Sequence, residues 1–254
     1  MPTAESDGRG ASAMRALLWP TIAALAIGAV LVGLGVWQLE RLEWKNDLSA
    51  RIKARAKAPA TELALAIDEW EGSHDVEYVH ARATGRFLHD HERYLYAPDP
   101  ERGSGFEVLS PLELGDGKVL WVNRGFVPDR LKAPETRGVA QVKGVVVVSG
   151  LLRSSQVKPR FAPDNDVGRN VWLWRDIPAL SRSAFGDKGT QVLPFVMEAD
   201  AGQSPGGWPK GGVTRIVLRN DHLQYALTWF GLALGLAGVW GVFVARRLRR
   251  RDQG

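Results

Sequence analysis

The chain has 254 residues, of which 33 are basic, 28 acidic and none is cysteine. The missing thiol excludes disulfides, thiolate metal sites, a cysteine nucleophile and covalent c-type haem attachment. The net charge of +5 does not describe a nucleic-acid surface, because Arg246, Arg247, Arg249, Arg250 and Arg251, opposed only by Asp252, crowd the C-terminus and leave the rest nearly neutral.

In chain order, a short tail (residues 1–16) balances Arg9 and Arg15 against Glu5 and Asp7. Leu17–Leu39 follows, 23 residues without an ionisable side chain. As a helix it covers roughly 34 Å, enough to cross a ~30 Å hydrocarbon layer with some tilt. It is too long for the apolar part of a cleaved signal peptide, and Trp37-Gln38-Leu39-Glu40-Arg41 offers no small-residue cleavage site. The acids ahead of it are unlike an Arg-rich transit peptide, which favours a bacterial inner membrane. Leu42, Trp44, Leu48 and Ile52 continue the helical spacing to Lys57, and Pro59 ends it. A short helix is expected over Thr61–Ile67.

Beyond Asp75 the texture becomes that of strands: Val76–Phe87, with Val79, Ala81 and Ala83 on one face, then Arg93–Tyr96, Phe106–Leu112, Val119–Phe126, Lys143–Leu152, Val171–Arg175 and Val192–Glu198. Gly115-Asp116-Gly117 reads as a hairpin turn. Pro178–Phe185 is expected to be a helix, Gly202–Gly212 a flexible linker, and Val213–Arg219 a last strand or turn. The second apolar run, Leu223–Ala245, is also 23 residues without an ionisable side chain. The fold class that follows is a membrane protein with two transmembrane helices (17–39 and 223–245) flanking a β-rich domain (40–222), an antiparallel barrel or sandwich. The arginine tail (246–254) places both termini in the cytoplasm and the central domain in the periplasm.

Candidate chemistry is sparse. Small residues four apart (Ala24/Gly28, Ala29/Gly33, Gly231/Gly235) suit close helix packing, either between the two spans or against another membrane protein. Trp19, Trp37, Trp44 and Trp240 lie where interfacial aromatics belong. His222, behind the potential caps Asn220 and Asp221, falls in the first turn of the second span, at an apolar–polar boundary. A neutral imidazole there suits an axial haem ligand and equally suits a local hydrogen bond. Trp37, Arg41, Trp44 and Lys45 share one helix face, where an apolar ring with propionates on Arg41 or Lys45 would fit and where ordinary snorkelling is the alternative. His89-Asp90-His91-Glu92 could place two histidines on one strand face, for a membrane-tethered metal enzyme, or could simply be a polar turn. No hydrolase elbow, Walker loop, zincin or dinucleotide motif is present, so no enzyme activity is expected.

Five segments carry a resemblance. They are Gly35-Val-Trp-Gln-Leu-Glu-Arg-Leu-Glu-Trp-Lys45, Gly85-Arg-Phe87, Trp121-Val-Asn-Arg-Gly-Phe-Val-Pro128, Asn170-Val-Trp-Leu-Trp-Arg-Asp-Ile-Pro178 and Asn220-Asp-His-Leu-Gln-Tyr-Ala-Leu-Thr-Trp-Phe230. Together, in this order and over Leu17–Ala245, they resemble the surfeit locus protein 1 family (the Shy1 proteins of yeast and their bacterial relatives). The resemblance implies a biogenesis factor, or chaperone, for haem–copper oxidases of the respiratory chain, chiefly cytochrome c oxidase. Such a factor would bind haem a and assist its insertion into subunit I, with haem A synthase as supplier and membrane lipid as surroundings. By the same resemblance His222 corresponds to a haem-iron ligand, with Tyr225 and Trp229 beside the ring and Arg41 and Trp37 at the opposite helix. Arg124 enters only as part of a fold motif. A haem-free scaffold for nascent subunit I is the alternative the sequence leaves open.

Overall fold

In a computed structural model, residues 5–99, 101–187, 189–214, 216 and 220–251 are described. The chain divides into two units, Met1–Ala50 with Val217–Gly254, and Arg51–Ile216. The first contains most of helix α1 (Glu5–Lys57) and all of helix α4 (His222–Arg251). Their apolar residues are open to the surroundings; Leu25 is 68% exposed and Leu234 74%. Each helix contains an apolar stretch long enough to cross a membrane and uncovered by the rest of the chain, as suits lipid rather than a soluble core.

The second unit is a β-barrel. Its strands are β1 (Thr61–Glu62), β2 (His80–Phe87), β3 (Arg93–Tyr96), β4 (Gly105–Leu114), β5 (Val119–Pro128), β6 (Val145–Ser154) and β7 (Val192–Ala199). Five of them close a ring in the order β2-β6-β7-β5-β4, with β4 returning to β2. The seam is three pairs long, Gly85↔Leu114 to Phe87↔Leu112. Gly85 is required there, since a Cβ would run into the Glu113 carbonyl oxygen and stand 2.9 Å from Leu112 Cγ. Alternation fills the interior: Ala81 and Ala83 from β2, Leu112 from β4, Leu120 and Val122 from β5, Val148 and Leu152 from β6, Phe195 and Met197 from β7. Helix α2 (Leu63–Ser73) packs Leu63 and Ala66 onto this core, and Trp70 edges onto Phe195. Helix α3 (Ile177–Phe185), capped by Asp176 Oδ1 accepting from Ala179 N–H, covers the outer face of the barrel at Trp121 and Val196.

Several expectations change. Thr61–Ile67 is not one helix: Thr61 and Glu62 pair in parallel with β2, and the helix begins at Leu63 and runs on to Ser73. The strand expected over Val76–Phe87 begins only at His80, and Val76 is buried ahead of it. Val171–Arg175 forms only single bridges, Leu95↔Trp172 and Asp166↔Val171, because its backbone turns to bury Trp172 beneath α3. The sheet is not wholly antiparallel, since β5 and β7 run parallel. Gly202–Gly212 is a strap rather than a free linker. It carries a 3-10 turn at Pro205–Gly207, packs Trp208 near Phe126 and bonds Lys210 to Phe126 through the backbone. Gly125, at φ +110°, admits that close approach, since a side chain would collide with the Lys210 carbonyl. Of Val213–Arg219, residues 215 and 217–219 lie outside the described residues, and 213, 214 and 216 form no strand.

A buried ion cluster joins the barrel to the loop that follows β5. Glu92 Oε2 pairs with Arg137 Nη2 at 2.7 Å, and Oε1 accepts from the Ser110 hydroxyl at 3.2 Å. Arg124 Nη1 stands 3.5 Å from Oε1, and His89 Nδ1 3.7 Å. Burial pushes the Glu92 carboxyl up, but the His89 ring and the Arg137 and Arg124 charges outweigh it and hold it at about 2. Burial and the Glu92 charge in turn push the Tyr94 hydroxyl up to about 12. A carboxyl depressed in the folded state stabilises above its unfolded value near 4.5 and loses that contribution as pH falls toward about 2. The shift corresponds to about 3 kcal/mol. Pulse proteolysis of the detergent-solubilised chain from pH 5 to pH 2 checks this. Wild type should lose about 3 kcal/mol more than Glu92→Gln over that range, while parallel curves would remove the cluster from the stability of the barrel.

Candidate functional site

Helices α1 and α4 meet along a short antiparallel seam. Gly35 faces the Phe230 ring so closely that a Cβ would lie 2.6 Å from it, and glycine alone permits the contact. One turn further along α1, the largely buried Gln38 places Oε1 2.6 Å from His222 Nδ1. Beyond it, Asn220 Nδ2 donates to Asn46 Oδ1 at 3.0 Å. Away from this seam a cavity of about 540 Å³ separates the helices, lined by Ala24, Gly28, Val32, Ala233, Ala237 and Trp240.

The Gln38 contact orients the histidine ring. An amide oxygen only accepts, so the tautomer that satisfies this contact has its proton on Nδ1 and presents Nε2 away from Gln38. A ring held through one nitrogen and basic at the other is how metal-binding histidines are commonly oriented. The half-buried His222 therefore fits an axial iron ligand.

The other sequence candidates fall into place around it. Tyr225 and Trp229 follow His222 at i+3 and i+7 on one helix face, Tyr225 more than half exposed and Trp229 half-buried. Trp37 is exposed beside Gln38. Arg41 lays its guanidinium over Trp44 at 4.4 Å. Gly231, Gly235, Gly238 and Gly241 have open space where a Cβ would stand, so this face of α4 is not the one packed on α1.

His89 and His91 do not share a strand face. They belong to a 3-10 turn, His89 Nε2 bonding the Val142 carbonyl at 3.0 Å while His91 lies against Phe185. Among the described residues no three His, Asp or Glu side chains gather as a metal site. His80 bridges the Ala58 carbonyl and Asp200. Two features escaped sequence reasoning. The sequence alone does not single out Gln38, although an amide one turn inside the basic end of a span is a signal for an interhelical bond. The Glu92 cluster collects Arg124, Arg137 and Gln141 from distant positions, and no local pattern announces it.

The cysteine-free chain allows a direct check of the seam. In membranes, a Gln38→Cys/His222→Cys chain treated with a short bis-maleimide should hold both spans together after the barrel segment is cleaved by protease. Fragments that separate as readily as in the single-cysteine chains would refute the contact.

Comparison with known proteins adds an independent line. A model of the SURF1 family matches residues 25–234. The SURF1-like protein of Monosiga brevicollis is 35% identical, the match covering 97% of this chain and 94% of that protein. Surfeit locus protein 1 of Mus musculus is 35% identical over 88% of this chain and 75% of its own length, and that of Homo sapiens 34% over 85% and 74%. The family match takes in Gln38, the whole barrel and His222, and so the chain belongs to the SURF1 family.

Proposed function

We propose that this chain receives haem a at the seam between its two spans and assists its insertion into subunit I of a haem–copper oxidase, chiefly cytochrome c oxidase. Family membership and the motif around His222 support the reading. The observation that carries it is the 2.6 Å contact from His222 Nδ1 to Gln38 Oε1. That contact leaves Nε2 as the basic atom of an oriented imidazole.

In this reading His222 binds iron and Gln38 holds its ring. Tyr225 and Trp229 offer aromatic surface on the same helix face, and Trp37 does so from α1. Arg41 supplies a cation for a propionate. The apolar cavity between the helices gives a hydrocarbon lining beside the seam. The haem is cargo: it arrives from a synthase and leaves to the oxidase, so no bond of the chain is made or broken apart from iron ligation. Moderate affinity follows, because a carrier that holds too tightly cannot release. The arginines closing α4 support a reading in which that end lies on the inner side of the membrane and the barrel on the outer side.

A haem-free scaffold is the second reading, and one observation favours it. The open glycine face of α4 is shaped for the close approach of another membrane helix. The two readings separate in one preparation. The full chain purified from cells that make haem a should show the absorption spectrum of bound haem, and His222→Ala should lose most of it while still inserting. Gly235→Leu should keep the spectrum and reduce oxidase assembly if that face also docks subunit I. Wild type devoid of haem would overturn the carrier and leave the scaffold.

A further inference from the structure

Arg124 occupies the last inward-facing position of β5, following Leu120 and Val122 into the barrel. It is only 4% exposed. Its guanidinium lies over the Phe87 ring at 4.7 Å, and Nη2 donates to the Ala140 carbonyl at 2.6 Å. Nη1 is buried and has no hydrogen-bond partner among the described residues. The nearest carboxylate oxygen is Glu92 Oε1 at 3.5 Å, and Arg137 already claims that carboxylate through Oε2 at 2.7 Å. One buried carboxylate thus faces two buried guanidiniums, and an interior positive charge is left over. Uncompensated charge in such a place costs several kcal/mol. Burial and the Arg137 charge push Arg124 down only to about 10, so it remains a cation at neutral pH.

Beside Arg124 lies a cavity of about 270 Å³ at the mouth of the barrel, lined by Phe87, Val146, Val148, Ala199, Gln203 and Ser204. Its walls are mostly apolar. The strap closes it from outside, fastened where the Gln203 amide donates to the Ser149 carbonyl at 2.7 Å and accepts from its N–H at 3.0 Å. Barrel mouths are common ligand sites, and this volume lies just below the roughly 300–1,000 Å³ of pockets for drug-sized molecules. A phosphate would find one donor-bearing wall and several valines. A carboxylate on a short aliphatic chain would find both a guanidinium and a hydrocarbon lining.

We propose that the barrel mouth binds a carboxylate carried on a short apolar chain, the carboxylate on the Arg124 guanidinium and the chain between Phe87, Val146 and Val148. The ligand thereby neutralises the excess charge of the Glu92 cluster. The site lies wholly within the barrel unit and does not depend on haem binding at His222. Its source is either a free short-chain acid or the C-terminal carboxylate of a partner chain ending in a small apolar residue.

The test uses the full chain in detergent, with butanoate as probe and butanol and inorganic phosphate as controls, read by ligand NMR titration. Butanoate should bind with about tenfold or greater preference over both controls, the worth of one charge-assisted hydrogen bond. Arg124→Met should abolish the preference. Because that variant disturbs the cluster, Ser204→Trp serves as a second, filling the cavity from the strap while Arg124 stays in place; it too should lose butanoate binding. A pentapeptide ending in valine, with a free or an amidated terminus, distinguishes the sources. Competition by the free-terminus peptide alone identifies a protein tail, and no competition by either identifies a free acid. Equal binding of butanoate and butanol, equal binding of phosphate, or undiminished butanoate binding in both variants would overturn the proposal.

Discussion

The hydrogen bond between Gln38 and His222 is the contact on which a functional reading of the spans rests. It links two helices whose remaining surfaces are mostly apolar and open. Near hydrocarbon, a polar side chain gains little from solvent and is stabilised by pairing with another. Gly35 beside Phe230 gives the helices the close approach that this pairing needs. The contact holds the ring in one orientation and favours the tautomer with its proton on Nδ1. An unanchored histidine in the first turn of a span would be an ordinary interfacial residue.

The barrel solves a different problem. Its interior is filled by aliphatic and aromatic side chains over most of its length, and one end is covered by α2. Toward the last inward position of β5 the hydrophobic filling gives way to Arg124 and the Glu92 cluster. Segments within the family match converge on this body. Gly85 closes the seam, and Asn170 donates to the Glu92 carbonyl while accepting from Trp172. Arg175 pairs with the buried Glu198, and Asp176 caps α3. Such residues are explained by folding alone, whereas Arg124 adds a charge in excess of what its surroundings neutralise.

The sequence disclosed what depends on local pattern. The apolar runs, the Gly115–Gly117 turn and the strands β3 to β7 are each specified by spacing and side-chain type over a few residues. It concealed what depends on distant partners. Thr61 and Glu62 become a strand only because β2 offers an edge, and β5 runs parallel to β7 because the chain crosses β6 and α3 between them. Val171–Arg175 has the β-branched and aromatic residues of a strand but spends them burying Trp172. The strap looked free because glycine and proline dominate it, yet the same glycines let its backbone lie against β5. At the spans, His222 stood out and Gln38 did not, since an uncharged amide carries no signature until its partner is known.

The protonation of His222 in the full chain decides the matter most directly. With the chain reconstituted in lipid and its histidines labelled with ¹⁵N, the His222 signals should show a protonated Nδ1 and an unprotonated Nε2 at neutral pH, and that preference should vanish in Gln38→Leu. A proton on Nε2 in the wild type, or a preference indifferent to Gln38, would contradict the proposal that this imidazole is held ready for iron.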